Sequence, residues 1–551
     1  MATAYWAGGA SGATTDTNNA ANWVDAANGT NAFGSVPDGN DDVIIQSTAN
    51  SNVSHNPTQT AAHTFNSIKI EAGGEWTADG SNHLTLNGED GNDFAFTNNG
   101  TYTHANGTVV INNGGGGIDH AAIKNGVGNS TTGFYDLTIS GGGTTCEIYG
   151  DTTIHRNMEA GGSTTVLRGH LTVTGALSVV GTLNTRFSST DKNLTVTNGT
   201  TVSGTLTCNA STLNLGIAYT NANPSLYISS GGTFNGGTGT HNIGNFQMIT
   251  STVTFSTGTT TFSTRNASSY GSFYRNGGTF THTGGKIVFG DTGNEPRILI
   301  KNNTTFYGME VDGANPLSTF TWGEEYTLTI TTNLTIKNGT FDTNNNGAEE
   351  LDLTVTGDCI VGDGTGSADT AILDGDAGNM SFGSLTIDSD GKYIGTSATT
   401  TITAETASHA WNNTGGTFTH NNGKVKIYDA TGSVMGSTSV RENTFYDLEI
   451  SLHVATYTCS LYDVTGDAVT ILNNLDVTKG EVEFSTASDT ITIHGLTNIT
   501  ADAKFSDNAG HNTNKIIHNG LVTNLGTYNI NTGTTVKLNG GIRQLGTLTV
   551  K

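Results

Sequence analysis

Residues 414–427 read TGGTFTHNNGKVKI, and nearly the same phrase stands twice earlier, as NNGTYTHANGTVVI at 98–111 and NGGTFTHTGGKIVF at 276–289. A short aromatic-led stretch precedes each phrase: FNSIKI at Phe65, FQMI at Phe246 and FGSLTI at Phe382. A second one follows each: FYDLTI at Phe134, FYGMEV at Phe306 and FYDLEI at Phe445. One long unit is therefore used three times. Repetition of strand-and-turn units marks a chain that grows by stacking, each piece burying its core against its neighbours. The expected organisation is an N-terminal cap with a first coil at 1–64, then repeats at 65–245, 246–381 and 382–551.

Within a unit the pattern has period two. Tyr326-Thr-Leu328-Thr-Ile330, Leu334-Thr-Ile336 and Leu351-Asp-Leu353-Thr-Val355 alternate apolar and polar residues. Such alternation describes a strand with one face buried and one face wet. Thr suits the wet face, since its branched Cβ fits the pleat and its hydroxyl meets water. Pairs such as Asn338-Gly339 and Gly415-Gly416 supply the tight corners. No stretch carries a sustained helical period with caps, so almost no helix is expected. Short strands at close spacing fit either a string of antiparallel sandwiches or a parallel β-solenoid. The low hydrophobic content of 34% favours the solenoid, whose narrow core needs fewer inward residues. The expected fold class is all-β, a parallel β-helix, with coils of about 20–25 residues stacked at ~4.8 Å.

Charged residues make up only 13% of the chain, and Gly accounts for 75 of 551 residues, which is the composition of ordered turns and strands rather than of a disordered polyampholyte. The formal net charge of −25 repels phosphate backbones and anionic headgroups, so neither nucleic acid nor membrane insertion is expected. No run approaches the ~18 apolar residues of a membrane span. The N-terminus Met-Ala-Thr-Ala-Tyr-Trp has no basic region followed by an apolar one, which favours assembly in a cytoplasm over secretion. Cys146, Cys208, Cys359 and Cys459 are far apart and form no C-x-x-C pair, so they read as buried free thiols.

The opening residues differ from the rest. Tyr5-Trp6-Ala-Gly8-Gly9, Asn22-Trp23, Val36-Pro37-Asp38-Gly39 and Asp41-Asp42-Val43-Ile44-Ile45 follow one another, and the two Trp residues are good material for plugging an open core. This pattern resembles the start of many structural proteins of bacteriophages, especially from marine hosts. The T-F-T-H-x-x-G-x-V-x-I and F-Y-D-L-x-I phrases, with Asn333-Leu-Thr-Ile-Lys-Asn-Gly-Thr-Phe341, resemble the repeats of large phage and bacterial β-solenoid proteins. The resemblance implies an exposed virion component or an adhesin, and the first is expected here, of the fibre, spike-shaft or capsid-decoration type. Other virion proteins and host surface glycans are the expected partners, and association as a homotrimer fits rods that pack side by side. It carries no catalytic residues.

Candidate sites are few. His104, His282 and His420 hold matching places in the T-H-x-x-G turns and are expected to make hydrogen bonds there rather than to share an ion. The run from Asp363 to Asn379 interleaves oxygen ligands with Gly, and Asp374 and Asp376 are its calcium candidates, although it matches neither the EF-hand nor the G-G-x-G-x-D-x-U-x repeat. Glu89-Asp90 with Asp93 is similar. Glu324-Glu325 beside Trp322 and Tyr326 offers acids next to aromatics, as a sugar subsite would. Neighbours on a strand face opposite ways, however, and a single strand says nothing of acids on adjacent coils. The reading is therefore of a non-catalytic structural protein without a cofactor. A polysaccharide-cleaving tailspike and a secreted bacterial adhesin are the alternatives.

Overall fold

The structure, a computed structural model, describes residues 2–9, 12, 14–50, 52–90, 94–112, 121–125, 133–141, 145–162, 164–216, 224–263, 271–290, 297–313, 316–321, 326–343, 351–404, 409–429, 437–462, 468–484, 490–507, 515–531 and 534–550. Its described part is strand and turn, with one 3₁₀ turn at Ala20–Asn22. The three-part repeat of the sequence packs as two units. The first comprises residues 1–269 and 276–281, the second residues 270–275 and 282–551.

Each unit is a parallel β-solenoid, as its alternating pattern requires. In the first, a 13-stranded sheet runs from Trp23–Val24 through Ala2–Trp6 to Thr279–Thr281. One inward file of that sheet passes in register through Cys146, Thr165, Leu183, Leu206, Phe234, Val253 and Phe280. In the second, an inward file of a different sheet passes through Phe306, Ile330, Val355, Phe382, Ile402, Ile427, Ile450, Val477 and Ile499. All of these except Thr165 and Phe280 are buried hydrophobics, and Thr165 is fully buried too. A step along the first file takes from 18 residues (Thr165 to Leu183) to 28 (Leu206 to Phe234). Register holds while coil length varies, because strands are pinned by their ladders and the corners absorb insertions.

The three repeated phrases occupy equivalent places. The G-x-V-x-I strand of each, Thr108–Asn112, Lys286–Gly290 and Lys424–Tyr428, pairs in parallel with the F-Y-x-L-x-I strand that follows it. The glycine of the phrase is a matter of space. A Cβ at Gly107 would stand 2.7 Å from the carbonyl oxygen of Asp79 on the previous coil, and one at Gly423 would collide with that of Thr396.

The abundant Asn and Asp have a use at the corners. Asp151 Oδ1 accepts the His170 amide at 2.9 Å, His170 Nδ1 accepts the Asn193 amide at 2.9 Å, and Asn193 Oδ1 accepts the Thr212 amide at 3.1 Å. Each side chain thus satisfies the next coil's backbone where the sheet is interrupted. Asp447 and Asn474 repeat the device, accepting the amides of Asn474 and Leu496 at 2.8 and 2.9 Å. Asn474→Ala removes an acceptor comparable to a helix cap and is expected to cost about 1 kcal/mol in denaturant unfolding. A neutral result would show that water replaces it at no cost.

Near the N-terminus, Trp6 and Trp23 are fully buried and meet edge to face at 5.0 Å. Their indole N–H groups donate to the carbonyls of His55 (2.6 Å) and Thr17 (3.0 Å). The four Cys residues are free and buried, and burial pushes the thiols of Cys146 and Cys459 up to about 12. Among the described residues no helix is long and apolar enough to cross a membrane.

Candidate functional site

Parallel stacking brings together residues that the sequence keeps about twenty apart. On one outer face of the first unit the rungs align Val110, Thr138, Glu159, Ser178, Thr201 and Tyr227. A cavity of about 530 Å³ opens over this face, with Thr138, Glu159, Ser178 and Thr201 on its floor and Asp136 and Arg156 on its wall. Adjacent rungs repeat at ~4.8 Å, so the hydroxyls and the carboxylate form an evenly spaced polar row.

The wall is built by the F-Y-D-L phrase. Asp136 Oδ1 accepts the Arg156 Nε–H at 2.9 Å and the Asn157 amide at 3.0 Å, while Oδ2 accepts from Arg156 Nη2. The Arg156 guanidinium also lies over the Tyr135 ring at 4.8 Å. A guanidinium has five N–H donors in a planar fork. With two directed at Asp136 and the side chain 54% exposed, the remaining edge faces the solvent at the cavity. Tyr135 also stacks with His104 at 5.4 Å, and His104 stands 4.9 Å from His155. Desolvation, followed by the neighbouring His155, lowers the pKa of His104.

Asp136 and Glu159 sit on neighbouring rungs, offset by two residues, which places their Cα atoms about 8 Å apart. That spacing resembles the paired acids of glycosidases. Asp136 accepts from three donors, so it orients Arg156 and closes a corner. Glu159 is exposed and stands alone on the floor. The site can bind a polar, hydroxyl-rich ligand through this row, with Arg156 for an acidic group.

The expected sites fall elsewhere. His104 and His420 do make turn-side hydrogen bonds, their Nδ1 atoms accepting the amides of Asn106 (3.1 Å) and Asn422 (3.0 Å). His420 also stacks on Tyr446, as His104 does on Tyr135. His282 is buried, and its Nδ1 accepts the Tyr307 amide at 2.9 Å on the next coil. Asp374 is half-buried and accepts the Asp376 amide at 3.3 Å; burial raises its carboxyl above the ordinary range. Asp376 holds a left-handed turn (φ 42°), and its carbonyl accepts from Asn421 Nδ2 at 3.1 Å. The Gly-rich run before them wraps the carboxylate of Asp390, which accepts the amides of Gly364 (2.8 Å) and Gly366 (3.1 Å). Among the described residues no group of three or more His, Cys, Asp or Glu could hold a metal ion. Asp90 closes its own turn by accepting the Phe94 amide at 3.2 Å. Trp322, Glu324, Glu325 and Asp93 lie outside the described residues.

The groove was not foreseen, although one signal pointed to it. The Asp of F-Y-D-L recurs at Asp447, where its Oδ1 again accepts from the next coil, from Asn473 Nδ2 (3.0 Å) and the Asn474 amide. No family model matches the chain, and no curated protein or solved structure proves similar to it.

Proposed function

We propose that the protein is an exposed, non-catalytic structural component of a bacteriophage particle, a fibre, spike shaft or decoration protein, which contacts host surface glycans through the groove over Thr138, Glu159, Ser178 and Thr201. The observation that carries the binding half is the row of outward polar groups, one per coil, beside an Arg156 held in place by Asp136 and Tyr135. The virion half rests on the resemblance of the opening residues and of the repeated phrases, and the solenoid suits it. Such a body presents many weak contacts at fixed spacing, so affinity comes from multivalency rather than from one deep pocket.

Two measurements test the reading. Immunogold labelling and mass spectrometry of purified particles should find the protein on the virion surface; its absence from particles would refute the virion role. Binding to an array of bacterial surface polysaccharides should weaken at least tenfold in Arg156→Ala, with folding intact. Unchanged binding would take the groove out of the account.

The cleaving alternative has one observation in its favour, the two acids in one cavity. It requires the released fragments of a bound polysaccharide to disappear in Glu159→Gln. The proposal expects no fragments from the wild type.

A further inference from the structure

We propose that the C-terminal coils of one copy dock onto the acidic N-terminal segment of a second copy, head to tail. The first observation is charge. From residue 508 to 551 there is neither Asp nor Glu, while Lys515, Lys537, Arg543 and Lys551 are present. From residue 1 to 68 there is neither Lys nor Arg, while Asp16, Asp25, Asp38, Asp41 and Asp42 are present. In a chain of net charge −25, the two segments carry opposite signs without internal compensation.

The second observation is apolar exposure on the basic side. Leu472, Leu496, Leu521 and Leu525 are 39–47% exposed. Leu496 and Leu521 share one corner of successive coils, since their carbonyls accept the amides of Leu475 and Thr497, residues themselves paired in register. Leu521 and Leu525 flank the strand Val522–Asn524, whose outward Thr523 lies in register between Asn498 and Arg543. Lys537 and Arg543 are exposed, and no ion pair involving either is found among the described residues. Arg543 thus puts an unneutralised cation beside the leucines, and Lys537 puts another on the neighbouring sheet. Outer faces elsewhere pair their cations: Lys286 and Lys337 with Glu310, Lys424 and Lys426 with Glu449.

The N-terminal segment offers the complement. Asp25 and Asp38 are exposed, with Ala26 and Ala27 exposed beside the first, and Phe33 and Val36 partly exposed between them. Acidic and partly apolar, it matches the basic side in sign and character. Two different patches meeting make a heterologous contact, which propagates into a ring or filament rather than closing as a dimer.

The test is sedimentation velocity of the full chain across concentration, at low salt and at ~1 M salt, where the screening length falls to about 3 Å. Self-association at low salt that weakens at high salt is expected. Lys537→Asp with Arg543→Asp, and separately Asp25→Lys with Asp38→Lys, should each weaken it at least tenfold. All four positions are exposed, so unchanged circular dichroism is expected. Mixing the two variants should restore association, because each then carries the complement of the other. Leu521→Glu with Leu525→Glu should abolish it and not be rescued by mixing. A wild type that is monomeric at low salt overturns the proposal. So do association indifferent to the Asp variants and failure of the mixture to associate.

Discussion

Lowering the pH from 6.5 to about 4 is expected to remove about 3 kcal/mol of stability for each of His241, His282 and His518. Burial in the solenoid core lowers all three to about 4 from 6.5. His241 is fully buried, in register between Leu213 and Thr260, with Phe234 against its ring. His518 Nδ1 is 2.8 Å from Thr497 Oγ1 and its Nε2 3.0 Å from the Tyr528 hydroxyl. Between pH 6.5 and 4 the unfolded chain binds protons that these folded imidazoles refuse. Stability therefore rises with pH across that window; the contribution is complete above 6.5 and lost as the pH falls towards 4. Glu442 opposes the trend in part, since burial raises its carboxyl and its folded form takes up a proton first. Urea unfolding at a series of pH values should show the slope, and His241→Leu should flatten it. A stability that stays level between pH 7 and 5 would contradict the burial of these rings.

Trp411→Ala is expected to cost about 3–5 kcal/mol, the range for deleting a large buried aromatic. Trp411 is fully buried, in register between Leu385 and Val440. Its ring meets Tyr393 at 5.9 Å, Phe418 at 4.7 Å and Phe445 at 5.8 Å, so three neighbouring rings lose a partner together. In a stacked chain each coil depends on the next, and such a loss acts locally before it acts globally. The expected calorimetric trace splits, with the coils around residues 380–450 melting first and becoming sensitive to protease. A single transition shifted as a whole would show that stability is shared along the chain rather than passed between neighbours.

Most of the fold could be read from local pattern. The alternation at Leu328, Ile330, Leu334 and Ile336 gave inward residues correctly, because a two-residue period survives whatever lies on the next coil. The T-H-x-x-G phrase was legible for the same reason: in its first and third copies the imidazole bonds within its own turn. The second copy has Gly284 where the others have Asn, and His282 is buried, its Nδ1 accepting the Tyr307 amide of the next coil. Asp374 and Asp376 looked like ligands because they alternate with Gly, yet the carboxylate that the glycine run embraces belongs to Asp390.

The groove was beyond reach for a related reason. Asp136, Glu159, Ser178 and Thr201 become neighbours only through ladders whose step varies from coil to coil, so their spacing in the chain has no fixed period. Asp136 also needs Arg156 to reveal what it does.

The register of those coils positions every one of these sites, and paired cysteines read it directly. Thr138 and Glu159 lie opposite each other on adjacent rungs, close enough for a disulfide, whereas Thr138 and Asn157 are offset by two residues and are about 8 Å apart. Under mild oxidation, Thr138→Cys with Glu159→Cys should form a bond visible by mass spectrometry, and Thr138→Cys with Asn157→Cys should not. Bond formation in the second pair but not the first would contradict the stacking and remove the groove with it.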